Sequence, residues 1–149
     1  MRKLWKIARM ELEADLARCY PVMAQLRPHL SLEAFIAQVQ RQSLQGFQVA
    51  ALEDTGLVRA VAGFRIIEML AHGKFLYVDD LVTDEAARSH GYGAALFDWL
   101  LDLARKENCA KFQLDSGVQR FGAHRFYFRQ RMRISSYHFS LELIPSGSA

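Results

Sequence analysis

Cysteine occurs only twice among the 149 residues, as Cys19 and Cys109, and proline only three times. The two thiols lie far apart in the chain, each among apolar neighbours, so they read as buried side chains rather than as a disulfide or metal ligands. No run of about 18 uninterrupted apolar residues exists to span a bilayer. Residues 1–9 are basic, but Glu11, Glu13 and Asp15 follow where a secretory leader would carry its apolar core. A cytoplasmic protein with no membrane partner is expected. Nor is there a marked excess of one charge. Lys+Arg number 19 and Asp+Glu 16, a net +3 that argues neither for nor against a polyanionic partner.

Apolar material is abundant: 51% of residues are hydrophobic and 23% charged, too apolar a balance for a disordered chain. At this length one domain buries about 70% of its unfolded surface, so residues 1–149 are expected to form a single domain. The charges are unevenly spread. Arg2, Lys3, Lys6 and Arg9 open the chain without an acid, and Arg120, Arg125, Arg129, Arg131 and Arg133 face only Glu142 near its end. The body between them is mildly acidic. Such clusters are ordinarily solvated faces.

Periodicity orders the elements. Residues 4–8 read as a first strand. Leu12, Leu16, Cys19, Met23 and Leu26 recur at helical spacing, with Pro21 expected to kink or restart that helix and Pro28 to stop it. Ser31 caps a second helix whose Leu32, Phe35, Ile36 and Val39 share a face. Three strands then follow, at 47–53, 57–70 and 74–83, with Asp-Thr-Gly and Ala-His-Gly turns between them, an antiparallel meander. A long helix over 91–107, a strand over 111–114, a short helix over 122–130 and a last strand over 132–143 complete the chain. No linker, repeat or low-complexity segment divides it.

The most informative stretch is Leu81-Val82-Thr83-Asp84-Glu85-Ala86-Ala87-Arg88-Ser89-His90-Gly91-Tyr92-Gly93. A strand enters a glycine-containing loop, and the loop opens a long helix. Unpaired N–H groups of a first helical turn, at the positive end of the helix dipole, make an anion site suited to a pyrophosphate. The string R-x-x-G-x-G arises by chance in about one chain in thirty of this length, so its strand-loop-helix setting carries the weight. A Walker loop is excluded, since no Gly-Lys-Ser/Thr follows. A dinucleotide fingerprint lacks its first glycine.

On these residues the chain resembles the Gcn5-related N-acetyltransferases, which bind acyl-CoA through R/Q-x-x-G-x-G/A. Arg88, Gly91 and Gly93 fill that motif, with Ser89 where glycine is frequent. The resemblance covers essentially the whole chain and implies an α/β fold with a central, mixed but mostly antiparallel sheet flanked by helices. It implies acetyl-CoA as co-substrate. Backbone N–H groups of Arg88, Ser89, His90, Gly91, Tyr92, Gly93 and Ala94 would hold its pyrophosphate. The splayed strand end Leu81-Val82-Thr83 would pair with pantetheine, and a donor near Val82 would polarise the thioester carbonyl.

A second piece, Ser116 to Tyr127, looks like the same family's Ala-x-x-x-Tyr helix. By that resemblance Tyr127 sits near the thioester sulfur as the acid, Ser116 contacts pantetheine, and His124 orients Tyr127 or touches pantetheine. It is especially similar to the subgroup that includes aminoalkylphosphonate N-acetyltransferases, with two departures, Phe121-Gly122 and Arg131-Met132. The acceptor cleft in this fold is lined by the first two helices and the meander loops, where this chain offers Tyr20, Arg27, His29 and Phe35.

Acetyl transfer to an amine needs a base, because an alkyl ammonium must lose a proton before it attacks. Asp79 and Asp80 stand on the central strand. Alternation along a strand lets only one face the cleft, and parity with Tyr77, Leu81 and Thr83 ranks Asp79 first while leaving Asp80 open. Tyr127, with an ordinary pKa of about 10, can donate to a leaving thiolate. No histidines or carboxylates show metal-ligand spacing, so no metal is expected.

The expected partner is a small primary amine; the residues leave the oligomeric state open, with a homodimer, as in many relatives, one alternative that the resemblance implies. The late arginines with Phe121, Phe126, Tyr127 and Phe128 also admit nucleic-acid binding, but those aromatics follow helix-core spacing and no nucleic acid is expected. The competing readings are a CoA-binding sensor that transfers nothing and a protein N-acetyltransferase.

Overall fold

Alanine and glycine concentrate in the middle of the sheet. The protein is described by a computed structural model covering residues 4–145. Strand β2 (Gln48–Asp54) holds the run Val49-Ala50-Ala51-Leu52, and β3 (Leu57–Met69) holds Ala60-Val61-Ala62-Gly63, all buried. Burial of consecutive residues means that both faces of these strands are covered, which removes the alternation of a one-sided sheet. Small side chains let helices close on each face.

The sheet order is β1-β2-β3-β4-β5, with β1 at Trp5–Arg9, β4 at Gly73–Thr83 and β5 at Lys111–Leu114. The first three pairings are antiparallel and β4–β5 is parallel. Helices α1 (Glu13–Leu26) and α2 (Leu32–Ser43) cover one face, where Leu16, Cys19, Met23, Phe35 and Val39 pack on Phe47, Val49, Ala51 and Val61. Helix α3 (Tyr92–Lys106) covers the other, where Leu96 and Leu100 meet Leu52, Phe64, Leu76 and Val78. Each such large side chain contributes about 1.5–3 kcal/mol by leaving water. Helix α4 spans Phe121–Arg129. The chain forms two compact units, Met1–Leu114 and Asp115–Ala149.

Three expectations change. Pro21 does not restart α1, which runs without interruption from Glu13 to Leu26. Pro21 is exposed while its neighbours Cys19, Val22 and Met23 are buried, so the lost hydrogen bond falls on the solvent side and packing holds both halves to the sheet. Leu12 is not on the buried face but caps α1 and is exposed. No strand forms over 132–143. Tyr137, Phe139, Leu141 and Leu143 keep a strand's alternation yet are exposed, and alternation alone supplies no partner for a ladder. Ser31 does cap α2, its hydroxyl accepting from the Ala34 N–H at 3.1 Å.

Both thiols are free. Cys19 is fully buried, which pushes its thiol up to about 12. Cys109 is only half-buried, and desolvation raises it too. Arg2 and Lys3, part of the basic N-terminal cluster, lie outside the described residues.

One irregularity positions the site. Gly63 pairs with Asp80 but Phe64 pairs with Val78, so Asp79 is the extra residue of a β-bulge in β4. Below the bulge Leu76 and Val78 face α3. Above it Leu81 faces α3 and Val82 faces α1 and α2. The side-chain alternation is thereby reversed, and Asp80 is turned toward α1. A Cβ on Gly63 would stand 2.5 Å from both Asp80 Oδ2 and the Phe47 ring. Gly63→Ala is therefore expected to destabilise the protein by about 1–3 kcal/mol through overpacking, measured by chemical denaturation. Unchanged stability would show that Asp80 and Phe47 do not need this gap.

Candidate functional site

The loop after β4 is tied down at several points. A short 3-10 turn, Glu85–Ala87, opens with the Asp84 carboxylate accepting from the Ala86 N–H at 3.2 Å. Gln25 on α1 donates to Asp84 at 3.1 Å and accepts from the Glu85 N–H at 2.9 Å, and Arg59 on β3 pairs with Asp84 at 3.2 Å. The Gln25 bond first, then Ala86 and Arg59, hold the Asp84 carboxyl below its ordinary range. Ser89 and Gly91 adopt left-handed conformations, φ 70° and 81°, the second at a position where glycine carries no strain.

His90 bonds through Nδ1 to the Ala87 and Arg88 carbonyls, at 2.9 and 3.1 Å, which makes Nδ1 the protonated nitrogen. Its ring stacks on Tyr92, whose hydroxyl donates to Asp54 at 2.6 Å. That bond to Asp54 raises the Tyr92 hydroxyl pKa.

Helix α3 begins immediately after this loop with Gly91 as N-cap, no side-chain cap and no acid in its first turn. The first N–H groups, from Tyr92, Gly93 and Ala94, have no intrahelical acceptor by geometry and none from a capping side chain. Such an end favours an anion. Gly93 permits the close approach: a Cβ there would stand 2.8 Å from Thr83 Oγ1.

Beside this helix end, β4 has an open edge. Its pairing with β5 ends at Val78↔Leu114, while its pairing with β3 continues to Thr83. Asp84 donates its N–H to Arg59 of β3 at 2.7 Å, so by alternation Val82 also turns toward β3, and Leu81 and Thr83 present their backbone groups at the open edge. The edge donors are therefore at Leu81 and Thr83. Val82 contributes only its side chain, packed on the α1–α2 side.

On the α1–α2 face a cavity of about 300 Å³ opens. Met23, Leu30, Phe35, Val39 and Phe47 line it with apolar surface, and Arg27, His29, Gln38, Gln42 and Asp80 supply its polar groups. Arg27 grips Asp80 Oδ1 through both Nε and Nη2 at 2.9 Å and reaches the Asp79 carbonyl at 3.2 Å. Oδ2 takes no part in that grip. Burial raises the Asp80 carboxyl above its ordinary pKa despite Arg27. Asp79 instead pairs with Arg65 at 3.0 Å and does not line the cavity. The bulge thus exchanges the two carboxylates relative to the parity expectation. Tyr20 lies behind the wall, its hydroxyl holding the Leu30 carbonyl at 2.7 Å.

The remaining candidates belong to the second unit. The Ser116 hydroxyl is buried without a hydrogen-bond partner among the described residues. His124 Nε2 bonds the Gly117 carbonyl at 2.8 Å, fixing the loop that carries Ser116. Tyr127 is half-buried on α4. Desolvation raises its hydroxyl above its ordinary pKa, with the Arg120 guanidinium opposing, so it is protonated at neutral pH. Among the described residues no group of three or more His, Cys, Asp or Glu could hold a metal ion, and no helix is long and apolar enough to cross a membrane.

Sequence reasoning missed the Arg27–Asp80 pair and the Gln38–Gln42 contact. The second had a local signal, the i,i+4 spacing on α2. The first spans 53 positions and had none.

Comparison with known proteins agrees with this architecture. Residues 9–131 match the family described as "Acetyltransferase (GNAT) family". The chain is 38% identical over 128 residues to the uncharacterized N-acetyltransferase YhdJ of Bacillus subtilis (strain 168), covering 83% of this chain and 88% of that one. Among solved structures it is similar to a possible acetyltransferase from Clostridium difficile 630, with TM-score 0.79, 18% identity, and 96% and 100% of the two chains covered. It is also similar to an aminoglycoside N-acetyltransferase, AAC(6')-Iy, in complex with CoA, with TM-score 0.81, 12% identity, and 95% and 96% covered.

The opposite shifts of Asp80 and Asp84 predict opposite pH effects on stability. Asp80, raised, supports the fold fully below the ordinary carboxylate pKa of about 3.9, and that support is lost as pH rises through its raised value. Asp84, lowered, supports the fold above the ordinary value and loses that support as pH falls through its depressed one. Unfolding measured across this range should show Asp80→Asn gaining stability relative to wild type with rising pH and Asp84→Asn losing it. Parallel curves for both would refute the two environments.

Proposed function

Because the chain belongs to the GNAT family of acetyltransferases, we propose that it transfers the acetyl group of acetyl-CoA to a small primary amine by direct attack in a ternary complex. We take residues 1–149 to work as one transferase domain, since the family match over 9–131 runs through both units. The observation that carries the reading is the uncapped N-terminus of α3 beside the open edge of β4. A helix end with a glycine cap, no first-turn acid and a loop already shaped around Ser89 and Gly91 fits a pyrophosphate. The unpaired Leu81 and Thr83 backbone groups fit an extended amide chain such as pantetheine. The orphaned Ser116 hydroxyl fits a further polar contact with it.

Acetyl-CoA supplies an acetyl group already activated as a thioester, and the protein's residues manage protons and charge. Asp80 is the base: its raised carboxyl takes a proton from the amine directly or through a water, using Oδ2 while Oδ1 stays on Arg27. Asp79 holds Arg65 in place. As the C–N bond forms and the C–S bond breaks, Tyr127 gives its proton to the departing thiolate. An edge N–H of Leu81 or Thr83 receives the negative charge that develops on the acetyl oxygen. Arg88 and the N–H groups from Ser89 to Ala94 hold phosphate charge away from the reacting atoms.

Tyr127→Phe should lower the rate of CoA-thiol release by about 100-fold with acetyl-CoA affinity unchanged; unaltered turnover removes Tyr127 from the mechanism. In wild type, kcat/KM should rise with pH through an Asp80 limb lying above the ordinary carboxylate range. Asp80→Asn should abolish most activity and that limb, while Asp79→Asn should retain both. Absence of any thermal shift with acetyl-CoA would overturn the whole reading.

A further inference from the structure

We propose that the cavity between α1, α2 and β4 selects a primary amine carried on a small apolar body, of the arylalkylamine or branched alkylamine class. This rests on the acetyl-transfer reading and names the acceptor for the same site. Half of the lining is hydrocarbon or aromatic: Met23, Leu30, Phe35, Val39 and Phe47. Two pairs of the polar groups bond to each other, which leaves Asp80 Oδ2 and His29 outside those pairs. Arg27 is neutralised by Asp80, and Gln38 donates to Gln42 at 3.0 Å.

That arrangement discriminates by charge and by hydrogen-bonding demand. A phosphonate or phosphate on the acceptor would find its nearest fixed cation, Arg27, already spent on Asp80. A polycation would find one carboxylate in the lining. A sugar carries hydroxyls all round its ring, so those turned to Met23, Leu30, Phe35, Val39 and Phe47 would lack partners, which is costly. An amine with an aryl or branched alkyl body has its nitrogen at Asp80 and its body against the Phe35 and Phe47 rings, where burial favours it. At about 300 Å³ the cavity is at the small end for ligand sites, so the body must be short.

The test measures CoA-thiol release at saturating acetyl-CoA for the linear amines from ethylamine to hexylamine, then for 2-phenylethylamine, spermidine, glucosamine and 2-aminoethylphosphonate. The expected result is a rise in kcat/KM of about fourfold per methylene until the cavity is full. 2-Phenylethylamine should exceed each polar amine at least tenfold. Val39→Phe, which occupies the cavity, should cut kcat/KM for 2-phenylethylamine about tenfold while leaving KM for acetyl-CoA unchanged, and the wild-type series decides the matter if that variant does not fold. A flat series, or a polar amine that wins, overturns the acceptor class and leaves acetyl transfer standing. No release from any amine, with acetyl-CoA still raising the melting temperature, overturns both.

Discussion

The bulge at Asp79 is the constraint on which the first unit's arrangement depends. A single unmatched residue reverses the alternation of β4, so the strand presents Leu76 and Val78 to α3 at one end and Leu81 and Thr83 to it at the other. Without that reversal Asp80 would point into the apolar α3 face, where a carboxylate has no cation. With it, Asp80 meets Arg27, and Gly63 supplies the missing Cβ that makes room. Packing and charge placement thus share one local cause.

The two acidic residues at either end of the β4 terminus live in opposite environments. Asp84 is surrounded by donors from α1, β3 and its own turn, and it spends its charge on holding the loop. Asp80 is desolvated against hydrocarbon and keeps a carboxyl whose pKa lies above the ordinary value. A base must part with its charge during turnover, whereas a structural anchor must not. The difference in environment suits the division of labour proposed for them.

Local chemistry was legible in the sequence, and long-range register was not. The turns of the meander were readable because Thr55-Gly56 and Gly73 require positive φ, and Ser31 was readable as a cap because its bond is made three residues on. The strand 111–114 and the glycine entry to α3 followed from the same local rules. The bulge was invisible, since which residue lacks a partner depends on β3. The parity that ranked Asp79 first assumed an unbroken pleat. Pro21 does not interrupt its helix because its exposed position leaves the lost hydrogen bond on the solvent side. The alternation over 132–143 misled, because a strand is a pairing and the segment shows only half of one. Arg27, His29 and Phe35 were named without a pattern, and only the fold gathers them around Asp80.

The loop between β4 and α3 is bound from three other elements and by a bond of its own. Gln25 holds it from α1, Arg59 from β3, Asp54 through Tyr92 from β2, and the His90 ring holds its own carbonyls. A glycine-bearing loop left to itself would sample many backbone shapes, and a ligand that froze it would lose about 1–2 kcal/mol per residue to entropy. Here that ordering is completed during folding. The anion proposed for this loop would meet donors already in place and would not bear that entropic cost.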